Sequence, residues 1–201
     1  MNALDLNQGT SGNVSVRFED RMLISPSATP YDAMSLDMIA AMDLSAEMTG
    51  EWDGPLKPST EWRFHWKLLK ERSDLTAIVH AHPTYCTSLA ILRKSIPACH
   101  YMIAAFGGTD VRCADYHTFG TPELADMVVE AMQDRTACLM ANHGMLAAGL
   151  GLQQAMWRAV ELETIARQYY LAAQLGDPVI LTDAQIAEAQ KGFAGYGVQD
   201  G

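Results

Sequence analysis

Two imidazoles one residue apart end an apolar run, Ala77-Ile78-Val79-His80-Ala81-His82-Pro83. Side chains at i and i+2 of a strand point to the same face. His80 and His82 would therefore stand together where a buried strand runs out. Such a pair serves either as satisfied core histidines or as two ligands of a borderline-soft divalent metal. The metal reading needs a third donor, and residues 137–141 supply a matching setting: a second apolar strand, ending in Asn142-His143-Gly144. No local motif spans the interval from His82 to His143, so only the fold can join them, as it would if the two strands were sheet neighbours. Three histidines with an open fourth position match a catalytic zinc site better than a closed structural one.

A reaction at such a metal needs a proton carrier and an anchor for substrate. Glu61 lies in the first turn of a helix expected over residues 60–72, capped by Ser59. A carboxylate there complements the helix dipole, which would be reason enough for its presence. Ser59 and Thr60 add hydroxyls beside free helix N–H groups, which together make an anion seat, so this element could offer both a phosphate site and a base. Gly12-Asn13 is either an ordinary loop or a tight turn whose N–H groups and amide meet an anion. Ser25-Pro26-Ser27-Ala28-Thr29-Pro30 forms a second hydroxyl-bearing loop. His65, on a helix beside Trp62 and Trp66, and His117, in a loop, receive no functional role.

The elements that must position these groups follow from periodicity and punctuation. Residues 14–18 and 21–25 read as a hairpin around Glu19-Asp20. Residues 38–44 read as a strand, after a short turn near 35–37. The helix at 60–72 carries a core stripe of Trp62, Trp66 and Leu69, and Pro83 opens two helical turns through Ile91. An apolar segment, 96–106, bears His100-Tyr101, and 111–114 reads as a short strand. Thr121-Pro122-Glu123 starts a helix running to about Gln133. A long helix at 152–175 is closed by Gly176 and Pro178. Thr182 and Gln185 form a capping box opening a last helix to about Lys191, and residues 192–201, with Tyr196 among glycines, are expected to be a mobile tail.

Composition narrows the class. The 201 residues are 49% hydrophobic, without a polar low-complexity tract, enough for one sizeable core and a single domain over 1–201. A formal charge of −10 argues against nucleic acid, which requires a basic face, while leaving room for a small anion held by a few backbone N–H groups. No run of about 18 apolar residues exists to span a membrane, and the N-terminus lacks the regions of a signal peptide. The cysteines, Cys86, Cys99, Cys113 and Cys138, form no C-x-x-C pair and read as reduced thiols. A cytoplasmic protein is expected.

Taken in order from Met1 to Tyr196-Gly197, the motifs G-T-S-G-N-V-S-V-R, P-S-T-E-W-R-F-H, V-H-A-H-P, I-P-A-C-H-Y-M-I-A-A-F-G-G, T-F-G-T-P-E-L and N-H-G resemble the class II aldolase/adducin family. The resemblance implies a three-layer α/β/α fold around a central, mainly antiparallel sheet, in a homotetramer with active sites between subunits. It implies one zinc ion (Zn2+) per subunit on His80, His82 and His143, with Glu61 as the acid/base carboxylate. Asn13, Ser27, Ser59 and Thr60 match phosphate-binding positions. Tyr101 matches a proton donor delivered to the neighbouring subunit, and Tyr196 a tail residue that closes over the substrate. The implied reaction is reversible cleavage of a ketose 1-phosphate, L-fuculose 1-phosphate-like, to dihydroxyacetone phosphate and an aldehyde. Other members use the same site as pentulose 5-phosphate 4-epimerases, methylthioribulose-phosphate dehydratases or sugar-acid phosphate decarboxylases, and adducin-like members are non-catalytic modules. Three departures stand out. Ala28 and Asp5 occupy positions where relatives commonly have glycine, and relatives begin with a helix ahead of the region matched by Met1, whose loss would uncover apolar surface and weaken assembly.

Overall fold

Val14 and Val16 alternate with Ser15 and Arg17, and this period of two folds as strand β1 (Asn13–Phe18), which turns at Glu19-Asp20 into β2 (Arg21–Ile24). The computed structural model describes residues 1–193. It continues with β3 (Ala40–Asp43), α1 (Trp62–Glu71), β4 (Ala77–Ala81), α2 (Thr84–Ile91), β5 (Ile96–Pro97), β6 (Asp110–Val111), β7 (Cys113–Ala114), α3 (Pro122–Ala131), β8 (Ala137–Met140), β9 (Gly144–Gly149), α4 (Leu152–Leu175) and α5 (Asp183–Phe193). Single 3₁₀ segments occupy Tyr31–Ala33, Leu36–Met38 and Tyr101–Phe106.

Seven strands form one sheet in the order β3-β2-β1-β4-β9-β8-β7, antiparallel throughout except for the parallel β7–β8 pair. Both faces are covered. Ile78, Met22, Ile24, Cys138 and Leu146 pack with residues of α1 and α3 in one core, whereas Ala77, Val79, Ala81, Leu139 and Met145 pack with residues of α2, α4 and α5 in the other. The expected three-layer α/β/α architecture with a mainly antiparallel sheet is therefore the observed one.

The strand β9 has no counterpart among the sequence expectations, and it corrects one of them. The two histidine-bearing strands, β4 and β8, are not neighbours; β9 lies between them and pairs with both. Its sequence, Gly-Met-Leu-Ala-Ala-Gly, lacks polar alternation and branched residues because every residue is buried between two partner strands and two helical layers. The segment expected as one strand at 111–114 is two: β6 pairs with β5, and after Arg112 the chain crosses to the main sheet as β7. Helix α1 starts two residues late, with Glu61 at its N-cap position and the Ser59 carbonyl accepting the first helical N–H, from Trp62, at 3.1 Å.

Caps read from sequence appear where chemistry puts them. Thr121 Oγ1 accepts from Leu124 N at 3.3 Å, and Thr182 and Gln185 exchange reciprocal capping bonds. A further cap comes from outside the helix it serves. The Glu163 carboxylate on α4 accepts from Tyr85 N and Cys86 N at 2.9 and 2.8 Å, tying the start of α2, just past His82-Pro83, to α4. Among the described residues no helix is long and apolar enough to cross a membrane. All four cysteines are free thiols, Cys86 and Cys138 buried and the other two half-buried.

Candidate active site

His80 lies on the same sheet face as Ile78, pressed edge-on against Phe64 of α1 at 5.3 Å between ring centroids, and fully buried. Its Nδ1 donates to the Met145 carbonyl of β9 at 2.8 Å. A neutral ring that donates from Nδ1 carries its lone pair on Nε2, and this carbonyl bond is the support that metal-binding histidines use to fix ring orientation. His82 Nε2 lies 2.9 Å from His80 Nε2. His143 lies in the turn from β8 to β9, in which Asn142 has φ 54°, and its ring centroid lies 4.8 Å from that of His80 and 5.0 Å from that of His82. The three imidazoles thus converge, through β9 rather than by direct pairing of the two strands.

Glu61 completes the cluster. Its Oε2 is 3.2 Å from His80 Nε2 and its Oε1 2.9 Å from His143 Nε2, and one ligand atom from each of Glu61, His80, His82 and His143 falls within 4.8 Å of the others. The fourth corner, expected to be open, thus has a carboxylate at it. Zinc–nitrogen and zinc–oxygen bonds of about 2.0–2.2 Å put tetrahedral ligand atoms roughly 3.3–3.5 Å apart, close to these separations. Oε1 is buried, and its close polar neighbour, His143 Nε2, does not meet it in full hydrogen-bond geometry. Lone pairs of imidazoles and a carboxylate aimed at one point repel unless a cation lies among them, so the donor set fits a divalent metal ion.

Electrostatics within the cluster are strongly coupled. Burial alone would raise the Glu61 carboxyl, but positive charge and donated hydrogen bonds from the side of His80 and His143 outweigh burial and hold it below the usual carboxylate range, as a cation among these donors also would. Burial, followed by the proximity of His80 and His143, pushes His82 down to about 4. A depressed value keeps that ring neutral, the form able to bind a metal.

The cluster opens into a cavity of about 420 Å³. Asn13, Ser27, Ser59, Thr60, Glu61, His82 and His143 all line it, while His80 stands behind the wall. The two hydroxyl-bearing loops meet there because the backbone stitches them together. Ser59 N donates to Ser25 O at 3.0 Å, Ser27 N donates to Lys57 O at 2.9 Å, and Pro26 and Pro58 form an isolated bridge. Asn13 is paired with His80 across β1 and β4, and Gly12 precedes it at φ 75° with no room for a Cβ, which would fall 2.6 Å from the His80 carbonyl. The Asn13 amide is already engaged: Nδ2 donates to Ser59 Oγ at 2.8 Å and to Glu61 Oε2 at 3.0 Å. A direct bond from this side chain to phosphate would require one of those two to be released.

Tyr101 does not line the cavity of its own chain. It begins a 3₁₀ segment, is half exposed, and stacks at 6.2 Å between ring centroids on Phe193. Tyr196 lies outside the described residues. Conversely, Tyr116, His117, Phe119 and Asn142 line the cavity without having been singled out. Three of them sit on an irregular connection ahead of α3, where no periodicity marks them. His65, read as a packing residue, has both ring nitrogens within hydrogen-bond range of polar side chains, Ser15 and Asn13. The available signal was its spacing of four from Glu61, which puts the two on one side of a helix.

Comparison with known proteins shows the family. The family described as Class II Aldolase and Adducin N-terminal domain matches residues 1–170. The L-fuculose phosphate aldolase of Escherichia coli (strain K12) is 44% identical over 200 residues, covering 99% of this chain and 91% of that protein. The 5-methylthioribulose-1-phosphate/5-deoxyribulose-1-phosphate aldolase of Rhodospirillum rubrum is 45% identical over 194 residues, covering 96% and 86%. A solved structure titled L-fuculose 1-phosphate aldolase superposes with a TM-score of 0.90 at 41% identity, over 95% of this chain and 89% of that one. On the family match and these relatives together, the chain belongs to the class II aldolase and adducin family.

Proposed function

We propose that this protein is a zinc-dependent aldolase that reversibly cleaves a ketose 1-phosphate to dihydroxyacetone phosphate and an aldehyde. The coarser class, a carbon–carbon lyase of the class II aldolase kind, follows from the family and the two named relatives. The observation that carries the finer reading is the convergence of Glu61 with His80, His82 and His143 at the wall of a cavity whose opposite side is built from two hydroxyl-bearing loops.

Zinc held by His80, His82 and His143 would supply a Lewis acid for the negative charge that develops on the ketose oxygens when the carbon–carbon bond breaks. Ser27, Ser59 and Thr60 bind the phosphate, with Asn13 contributing if its amide exchanges a partner. Glu61 carries the proton at the dihydroxyacetone carbon, giving it to that carbon in cleavage and removing it in condensation. Its Oε2 is held by Asn13 Nδ2, which leaves Oε1, beside His143 Nε2, as the oxygen to carry that proton. The hydroxyl whose carbon becomes the aldehyde must lose a proton. Tyr101 is assigned that transfer in the site of a neighbouring subunit, a role supported by its exposure and its absence from the lining of its own cavity. On this reading the protein is a homotetramer with active sites between subunits, and Tyr196 closes over the aldehyde. The free thiols support a reducing, cytoplasmic setting.

The aldehyde half stays between two named precedents. Relatives of nearly equal identity act, by their names, on L-fuculose phosphate and on 5-methylthioribulose or 5-deoxyribulose 1-phosphate, which share the ketose 1-phosphate end. A panel of these three ketoses assayed with zinc, scoring both dihydroxyacetone phosphate and pentulose epimers, tests the reading. Dihydroxyacetone phosphate from at least one ketose 1-phosphate is expected. Epimer without it would move the chain to another reaction, and purified protein that neither contains nor takes up zinc would end the catalytic account.

A further inference from the structure

Behind the Glu61 carboxylate a chain of buried side chains runs away from the cavity: Ser15, His65 and Asn13 are each at most 3% exposed. Asn13 Nδ2 donates to Glu61 Oε2 at 3.0 Å, Asn13 Oδ1 lies 2.5 Å from His65 Nε2, and His65 Nδ1 lies 2.7 Å from Ser15 Oγ. Only one proton order satisfies every member. An ionised carboxylate can only accept, so the amide nitrogen of Asn13 must face Glu61 and its oxygen must face His65. His65 Nε2 must then carry the hydrogen, and its Nδ1 must accept from the Ser15 hydroxyl. The neutral ring this requires agrees with burial, which pushes His65 down to about 3.

An asparagine amide is nearly symmetrical in shape, so packing alone does not choose between its two orientations. Reversed, it would aim an oxygen lone pair at the Glu61 carboxylate and leave both unsatisfied in a buried place. We propose that His65 is a positioning residue: anchored by Ser15, it locks the Asn13 amide in the orientation that donates to Glu61 and Ser59, and so fixes the carboxylate against the three histidines. A residue needed only to fill the space between Phe64, with which it stacks at 4.7 Å, and β1 could be wholly apolar. This assignment rests on the proposed role of Glu61 beside a bound zinc.

The test compares zinc-loaded wild type with His65→Phe, His65→Gln and Ser15→Ala, reading kcat, KM, zinc affinity by competition with a chelator, and the urea midpoint. Removal of an outer-shell partner typically costs about 10–100-fold in activity or metal affinity. His65→Phe is therefore expected to lose kcat by roughly that factor and zinc affinity by about 10-fold, with KM changed less than about 3-fold. His65→Gln keeps an N–H able to reach Asn13 and should recover most of both losses. Ser15→Ala, which removes only the far anchor, should lower kcat by roughly 3–10-fold with a lowered midpoint, since it leaves a buried ring nitrogen unsatisfied, and carries the test if His65→Phe does not fold. Wild-type kcat and zinc affinity in His65→Phe would overturn the proposal. So would a His65→Gln no better than His65→Phe at equal midpoints, or a Ser15→Ala with wild-type kcat. A wild-type protein that binds no zinc fails the functional reading itself. One that binds zinc while the variants stay unaffected fails only the role of His65.

Discussion

At the scale of single residues, Ala28 and Asp5, the two positions where the resemblance led to an expectation of glycine, prove to be strained ones. Ala28 has φ 54° and Asp5 φ 53°, in the left-handed region where a Cβ costs about 1–2 kcal/mol. Aspartate tolerates that region better than alanine, so Ala28, at the edge of the cavity, holds more of the strain. Ala28→Gly should raise stability by about 0.5–1 kcal/mol, the strain relief partly offset by the greater freedom glycine gives the unfolded chain. Urea unfolding reads this directly, and an unchanged or lowered midpoint would show that the loop is relaxed around the methyl group. Glu61 carries the second prediction at this scale. Glu61→Gln should slow exchange of the dihydroxyacetone phosphate C–H proton by at least about 10²-fold, the usual yield of a positioned base, while zinc content stays near one per chain. Exchange at the wild-type rate would take the proton transfer away from this residue.

At the scale of elements, the site depends on a strand that the sequence hides. The ligand-bearing ends of β4 and β8 were legible because each apolar run stops at a histidine, and the hairpin, the caps of α3 and α5 and the whole of α4 were legible from local periodicity and capping chemistry. β9 was not, because its six residues are small, apolar and buried on both faces, leaving no alternation to read. Nor could Tyr116, His117 and Phe119 be placed, since an irregular connection has no period. The hidden strand makes a sharp demand at its first residue. A Cβ on Gly144 would lie 2.5 Å from the Ala81 carbonyl and 2.6 Å from His82 Cδ2. Neither the backbone of a central strand nor a ring within the metal cluster can yield freely. Gly144→Ala should therefore cost roughly 1–3 kcal/mol, as overpacking does, and weaken zinc binding by about 10-fold, as displacement of a supporting contact does. Gly176→Ala, where a Cβ meets nothing within 4 Å, serves as the contrast and should leave zinc affinity unchanged. Equal zinc affinity in Gly144→Ala and wild type would mean that β4 and β9 can separate without disturbing His82.

At the scale of the whole molecule, a polar seam of Ser15, His65, Asn13 and Glu61 passes through one of its two apolar layers, between β1, α1 and β4. That seam links global stability to pH. Burial holds His65 at about 3 in the folded protein, against 6.5 for an ordinary histidine. Between those values the unfolded chain takes up a proton that the folded one refuses. The stability associated with His65 is therefore complete above pH 6.5 and falls by about 1.4 kcal/mol per pH unit as acid is added, until the folded ring also protonates near pH 3. Carboxylates and the metal cluster titrate as well, so the slope of one protein cannot isolate a single ring. Comparing wild type with His65→Phe, both with chelator present, cancels the groups distant from this seam and leaves in the difference His65 together with its coupling to His80 and Glu61. Urea unfolding from pH 6 to pH 4 should give a variant curve flatter by about 1.4 kcal/mol per pH unit, one proton's worth. Parallel curves would mean that His65 takes up its proton in the folded protein as readily as in the unfolded chain. The single proton order through Asn13 to Glu61 would then fail with it, because a ring protonated on both nitrogens cannot accept from Ser15.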